Sequence, residues 1–213
     1  MSYKENIYKI ALDCILDIYN RSKSDPDSVD FFRIHDIINS VNDNQFVNKQ
    51  WLVDNLKPHL QPNMRILVAG SWYGLIARLL NQIDVDGLLI DLVDMDHNCL
   101  HYSKLFNPEN LFPNVKSIEA DAVDFFIERK HKYDVIINTS CEHMEKEDIQ
   151  LMAGLKKPEC IFVAQSNNYE EVDSHINTSS SLLEFQSYLK LKQILFADTL
   201  SLKNYDRYMV IGK

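Results

Sequence analysis

The sequence predicts an α/β fold with a mostly parallel sheet, an antiparallel C-terminal hairpin and an N-terminal helical extension. Three observations carry this. From Met64 onward, short apolar runs alternate with helical patterns. The last two strand-like runs, QILFADTLSL and YDRYMVIGK, are joined through about Ser201–Asn204 with no helix between them, which makes an antiparallel hairpin at one sheet edge. Before Met64 the apolar spacing is helical throughout. A length of 213 residues and a hydrophobic content of 46% fit a single globular unit with a sizeable core.

The elements follow in order. Tyr3, Ile7, Ile10, Ala11, Cys14, Ile15 and Ile18 recur at spacings of three and four, one face of an amphipathic helix. RSKSDPDS ends it, and Asp25 with Pro26 suits the N-cap and first position of a second helix that buries Val29, Phe32, Ile37 and Val41. A third helix is expected from about Gln45 to Lys57, with Phe46, Trp51, Leu52 and Leu56 inward and Pro58 ending it. MRILVAG is then a buried strand and LIARLLNQI a helix. GLLIDLVDMD is the second strand, with HNCLHYSKLF its helix. VKSIEAD and AVDFFIERKH follow as strand and helix. YDVIINTS, CIFVAQS and the closing hairpin complete the strands, with helices at EKEDIQLMAGL and SSSLLEFQSYLK. We divide the chain into a helical extension over residues 1–43 and a ligand-binding domain over 44–213.

Composition excludes several classes. With 22 Lys and Arg against 31 Asp and Glu, the net charge is −9, which argues against binding nucleic acid through a general basic surface. The N-terminus is charged throughout and has no apolar core of a signal peptide, and no run approaches membrane-spanning length. The four cysteines are isolated, so reduced thiols and a cytoplasmic location are expected. His97 and His101 stand four apart, but no third ligand has a diagnostic spacing, and no metal is expected.

Ligands of parallel α/β sheets lie beyond the carboxyl ends of the strands. Only five glycines occur in the chain, and two, Gly70 and Gly74, flank Ser71, Trp72 and Tyr73 where the first strand turns into a helix. Such a turn brings backbone N–H groups to a nucleotide-like ligand. A merely structural strand–turn–helix junction would also need these glycines. Asp94 ends the second strand, with Met95 and Asp96 after it, placing a carboxylate for ribose hydroxyls. Asp121 and Ala122 follow the third strand, suited to an exocyclic amine and a ring nitrogen, although Asp121 also suits an N-cap. Asn138 ends the fourth strand and opens Thr139, Ser140, Cys141, Glu142, His143 and Met144. His143 is the candidate base, and Glu142 would orient it or bind a cationic acceptor. Ser166, Asn167, Asn168 and Tyr169 end the fifth strand, and His175 and Asn177 follow in a loop able to close over the pocket.

RILVAGSWYG, LVDMD, EADA and YDVIIN, in that order, resemble the four motifs of the Rossmann-like class I S-adenosylmethionine (SAM)-dependent methyltransferases. The resemblance spans about residues 44–213. It implies a seven-stranded sheet with helices on both faces and the final strand antiparallel. It also implies SAM as cofactor, with its methionine part on the Gly70–Gly74 loop, its ribose on Asp94 and its adenine on Asp121 and Ala122. The expected activity is methyl transfer to a small molecule or metabolite. Val68 stands where the family often has an acidic residue, and Trp72 where it usually has glycine. These departures keep two alternatives open: a non-methyl use of SAM, by aminocarboxypropyl transfer or lyase chemistry, and a non-catalytic SAM-binding regulator. A nucleotide-dependent reductase is disfavoured, because the full G-x-G-x-x-G fingerprint is missing. The N-terminal helices are expected to cover the strand ends or to form a homodimer contact.

Overall fold

A computed structural model describes residues 3–24 and 30–213. Helix α1 (Tyr3–Arg21) buries Ile7, Ala11, Cys14 and Ile18. Helix α2 (Phe31–Ser40) is capped by Asp30, whose side chain accepts from Arg33 N–H. The expected cap at Asp25 and Pro26, and Val29, lie outside the described residues. Of the expected inward residues, Ile37 and Val41 are buried but Phe32 is 76% exposed. Arg33 is buried in its place, because polar contacts to the sheet domain set the rotation of this helix. Helix α3 (Asp43–Leu56) starts under Asn42. Pro58 falls in the 3-10 turn Lys57–His59 that follows.

The strands are β1 (Arg65–Ala69), β2 (Leu89–Asp94), β3 (Val115–Glu119), β4 (Val135–Asn138), β5 (Ile161–Asn167), β6 (Ile194–Ser201) and β7 (Asp206–Gly212). Between them run α4 (Leu75–Leu80), α5 (His97–Phe106), α6 (Ala122–Arg129), α7 (Lys146–Leu155) and α8 (Leu182–Leu189). All seven form one sheet in the order β3-β2-β1-β4-β5-β7-β6. Strands β1 to β5 pair in parallel, while β7 inserts between β5 and β6 and is antiparallel to both.

Strand alternation splits the core in two. Ile66, Val68, Ile90, Leu92 and Ile137 join Ile7, Cys14, Ile37 and Leu52 in one cluster, so α1 to α5 share a face of the sheet. Leu67, Ala69, Val93, Ile136 and Phe162 join Phe126, Met152 and Phe185 on the other, under α6, α7 and α8. The N-terminal helices therefore help to close the core of the sheet domain. Among the described residues no helix is long and apolar enough to cross a membrane.

The topology reverses between β1 and β4, the two neighbours at the centre of the sheet. A crevice opens there at the carboxyl ends, the general ligand position of this architecture. Gly74 closes the β1–α4 turn with φ +73°, and a Cβ on it would lie 2.7 Å from Leu92 Cδ1 and 2.8 Å from Ser103 Oγ. G74A is therefore expected to lower unfolding free energy by about 2 kcal/mol, read by denaturant titration. G154A meets nothing within 4 Å in α7. It should stabilise the chain by roughly 0.5–1 kcal/mol.

Candidate functional site

The β1–α4 turn holds three of the six positive-φ residues found among the described residues. Gly70, Trp72 and Gly74 all have positive φ, +63°, +50° and +73°. For a bulky residue such as Trp72 this conformation is rare, since its Cβ crowds the following carbonyl. The turn is pinned from several directions. Ser71 N–H donates to the Val93 carbonyl and Gly74 N–H to the Ser71 carbonyl. Trp72 N–H donates to Asp94 Oδ2 at 2.8 Å.

The other restraint comes from α2. Asp36 Oδ2 accepts from Trp72 Nε1–H at 3.1 Å and from the Tyr73 hydroxyl at 2.7 Å. Arg33, one turn earlier, donates to the Tyr73 hydroxyl at 3.1 Å and pairs with Asp96 Oδ2 at 2.9 Å. Asp96 also caps α5 through Asn98 and Cys99 N–H. Burial would raise the Asp96 pKa, but the Arg33 hydrogen bond and the cap together hold it below its ordinary value. Tyr73 is fully buried, its ring against Tyr102 and Phe106.

A cavity of about 380 Å³ lies beside this turn. Gly70, Ser71 and Trp72 line it, with Asp94 from the tip of β2. Thr139, Ser140, Glu142 and His143 follow β4, Asn167 ends β5, and His175 comes from the β5–α8 connection. Tyr205 and Arg207 enter from the hairpin, and Asp36, Gln45 and Lys49 from α2 and α3. Its size suits a small organic ligand.

Asp94 uses each oxygen once, Oδ2 on Trp72 N–H and Oδ1 on Asp96 N–H at 3.0 Å, so lone pairs remain on both. Met95, Asp121, Ala122, Asn138, Tyr73 and Gly74, also expected at the cofactor, are not on the cavity lining. Met95 is 73% exposed beside Asp94. Asp121 is exposed and caps α6 through Oδ1, with Ala122 next to it. Asn138 is buried, and its Oδ1 accepts from Ser140 N–H. Tyr73 and Gly74 support the turn from behind.

After β4 the chain makes a 3-10 turn, Cys141–His143. Burial pushes the Cys141 thiol well above its ordinary pKa, so it is held un-ionised and unreactive. Glu142 is buried. Its Oε1 accepts from Asn167 Nδ2 at 2.9 Å and from Arg207 Nη1, while Oε2 has no partner. Strand register explains the convergence, because Asn167 on β5 pairs directly with Arg207 on β7. Arg207 also donates to the Thr139 carbonyl. The group that orients His143 is the Ser174 carbonyl, 3.1 Å from Nδ1, not Glu142. A carbonyl only accepts, so Nδ1 carries the proton and Nε2 presents a lone pair. His175 likewise donates Nδ1–H to the Tyr169 carbonyl, and the two imidazole rings meet edge to face at 4.7 Å. Desolvation lowers the His143 pKa, and nearby His175 and Arg207 act in the same direction against Glu142 and the Ser174 bond. Glu142, His143 and His175 each offer a metal-ligating atom within 4.8 Å of the others. The pair His97 and His101 is dispersed on the α5 surface, engaged with Glu119 and with Arg21.

Sequence reasoning missed Asp36, Gln45, Lys49, Tyr205 and Arg207. Lys49 donates to Gln45 Oε1 and stands over the Trp72 ring at 5.8 Å. Desolvation, with repulsion from Arg207, brings its pKa down to about 7, against a smaller opposing effect of Glu142. The ordinary value is 10.5, so across pH 7 to 10.5 the unfolded chain binds a proton that the folded chain does not. This group makes stability rise with pH in that window. K49M removes the cost, so it is expected to melt above wild type near pH 7, with the difference fading toward pH 10.5. Thermal melts at several pH values read it.

No family model matches the chain, and no curated protein matches it by sequence. Solved structures do match. Geranyl diphosphate methyltransferase in complex with SAM aligns at TM-score 0.63 and 12% identity, covering 78% of this chain and 84% of that one. A protein from Galdieria sulphuraria named for sarcosine and dimethylglycine methylation aligns at TM-score 0.59 and 19% identity, over 75% of this chain. This chain spans 66% of that protein's length. MtNAS, in complex with MTA and tNA, aligns at TM-score 0.58 and 13% identity over 96% of this chain and 70% of that one. The fold is that of class I SAM-dependent methyltransferases.

Proposed function

We propose that this chain uses its class I methyltransferase fold to bind SAM and methylate a small molecule or metabolite. The observation that carries the reading is the cavity at the carboxyl ends of the central strands, with the Gly70 turn and the Asp94 carboxylate on its lining. The residues fit the cofactor. Gly70 has φ +63°, and a Cβ there would meet only Ser140, at 3.7 Å, so the turn leaves open space over its backbone. Ser71 Oγ is buried without a partner. Asp94 keeps free lone pairs for two ribose hydroxyls. Gly70, Ser71 and Trp72 would hold the amino-acid part and Asp94 the ribose. Met95, Asp121 and Ala122 follow the ends of β2 and β3, where an adenine would cover the exposed Met95 side chain. Tyr73, Gly74 and Asn138 hold the turn and the β4 end in place.

SAM, when bound, supplies a sulfonium-activated methyl carbon, so alignment of the acceptor is the chief task left to the protein. His143 serves that task as a base. Its Nδ1–H is fixed on Ser174, its Nε2 lone pair is free, and its lowered pKa keeps it neutral at pH 7. Glu142 Oε2, buried and unpartnered, accepts a hydrogen bond from an acceptor N–H or O–H. The Arg207 pair and Asn167 fix that carboxylate in place.

A second reading is aminocarboxypropyl transfer. It is favoured by the likeness to MtNAS, solved with MTA, the nucleoside that remains when the aminocarboxypropyl arm leaves, over 96% of this chain. Reaction products separate the two: S-adenosylhomocysteine for methyl transfer, methylthioadenosine for the other arm. A regulator would give neither product.

Calorimetry tests the cofactor site. S-adenosylhomocysteine is expected to bind wild type, and D94A to weaken it at least tenfold; equal affinity for D94A would refute the ribose role. For His143, activity is expected to fall on an acid limb below pH 6.5, the ordinary value from which its pKa is lowered. H143Q should remove that limb with a loss on the order of 10²–10⁴-fold in kcat.

A further inference from the structure

Lys49 is buried in the cavity lining, yet its hydrogen-bond partner is the neutral Gln45 amide. Among the described residues it forms no ion pair. An ammonium carries three donors, and taking it out of water is costly without an opposite charge. The other charged groups around the cavity do not supply one. Asp36 on α2 is engaged by Trp72, Tyr73 and Arg33. Asp94 on β2 is engaged by two backbone N–H groups. Glu142, after β4, is bound by Arg207 and makes no ion pair with Lys49, and its attraction is outweighed by burial and by repulsion from Arg207 on β7. His143 and His175 each commit a ring N–H to a backbone carbonyl, and Tyr205 is a neutral phenol. The α3 side of the cavity thus presents a desolvated amine with unused donors and no anion hydrogen-bonded to it.

We propose that Lys49 and Gln45 form a receptor for a carboxylate group inside this cavity. The carboxylate belongs either to the amino-acid tail of the cofactor, which rests on the reading above, or to an acceptor that bears its own carboxylate. Both present the same chemistry: two oxygens, for the Lys49 ammonium and for the Gln45 amide N–H beside it. Lys49 is largely neutral above pH 7 in the free protein, so an arriving carboxylate draws a proton onto it.

Titration calorimetry at pH 8, in two buffers of different ionisation enthalpy, tests this on the full chain. The probes are S-adenosylhomocysteine, methylthioadenosine, which lacks the amino-acid tail, and acetate. If the cofactor supplies the carboxylate, S-adenosylhomocysteine binds wild type with uptake approaching one proton. K49M then loses at least tenfold in that affinity while methylthioadenosine binding is unchanged. If the acceptor supplies it, S-adenosylhomocysteine binds both proteins alike without uptake. Acetate then binds the S-adenosylhomocysteine-filled wild type with proton uptake, and does not bind K49M. Either pattern supports the receptor. Failure of both nucleosides to bind wild type refutes the cofactor reading alone, and acetate added to the free protein then decides the role of Lys49. Wild type that takes up no proton with any probe, and K49M or K49Q that binds each probe as wild type does, overturns the proposal.

Discussion

The left-handed turn at Trp72 is the constraint on which the site depends. A tryptophan resists φ +50°, and two carboxylates hold it there. Asp94, from the sheet, takes the backbone N–H, and Asp36, from α2, takes the indole N–H. The same turn leaves Gly70 open to the cavity and sends Tyr73 into the core. Because Asp36 lies on an N-terminal helix, the extension is wired to the ligand turn through side-chain hydrogen bonds as well as apolar packing. Arg33 and Asp96 make a second tie, from α2 to the turn after β2.

The opposite side of the cavity depends on the C-terminal hairpin. Insertion of β7 between β5 and β6 sets Arg207 opposite Asn167, and both reach Glu142. A buried ion pair of this kind is weak evidence for stability, since desolvation offsets most of its attraction. Its geometric effect is clearer: it fixes one oxygen of Glu142 and leaves the other without a partner in the cavity. Lys49 is the complementary case, a buried amine whose hydrogen-bond partner is only an amide. The cavity therefore holds an unpartnered carboxylate oxygen and a lysine amine with unused donors, features that a polar ligand would satisfy.

Most of the fold was legible because strand alternation, glycine turns and helix periodicity are local signals. All seven strands and the hairpin fall where apolar runs and turn residues put them. The second helix shows the limit. Periodicity placed Phe32 inward, whereas the helix is rotated to bury Arg33 and bring Asp36 to the turn. That rotation follows from contacts with Tyr73 and Asp96, far away in sequence. The same holds for the site. Gly70 and Asp94 were readable from their places at strand ends. Lys49 was not, although it sits in the inward register of α3, three residues after Phe46 and three before Leu52. A lysine in an apolar stripe was the available signal. Arg207, a lone cation opening an apolar strand, was another. Its role required the β5–β7 register, which the sequence does not display.

A crystal structure of the protein soaked with S-adenosylhomocysteine tests the central claim most directly. The account expects the nucleoside beside the Gly70 turn, with both ribose hydroxyls on the Asp94 carboxylate and the sulfur within the cavity lined by His143 and Glu142. A ligand seated elsewhere on the molecule, or a cavity that stays empty at millimolar ligand, would contradict it.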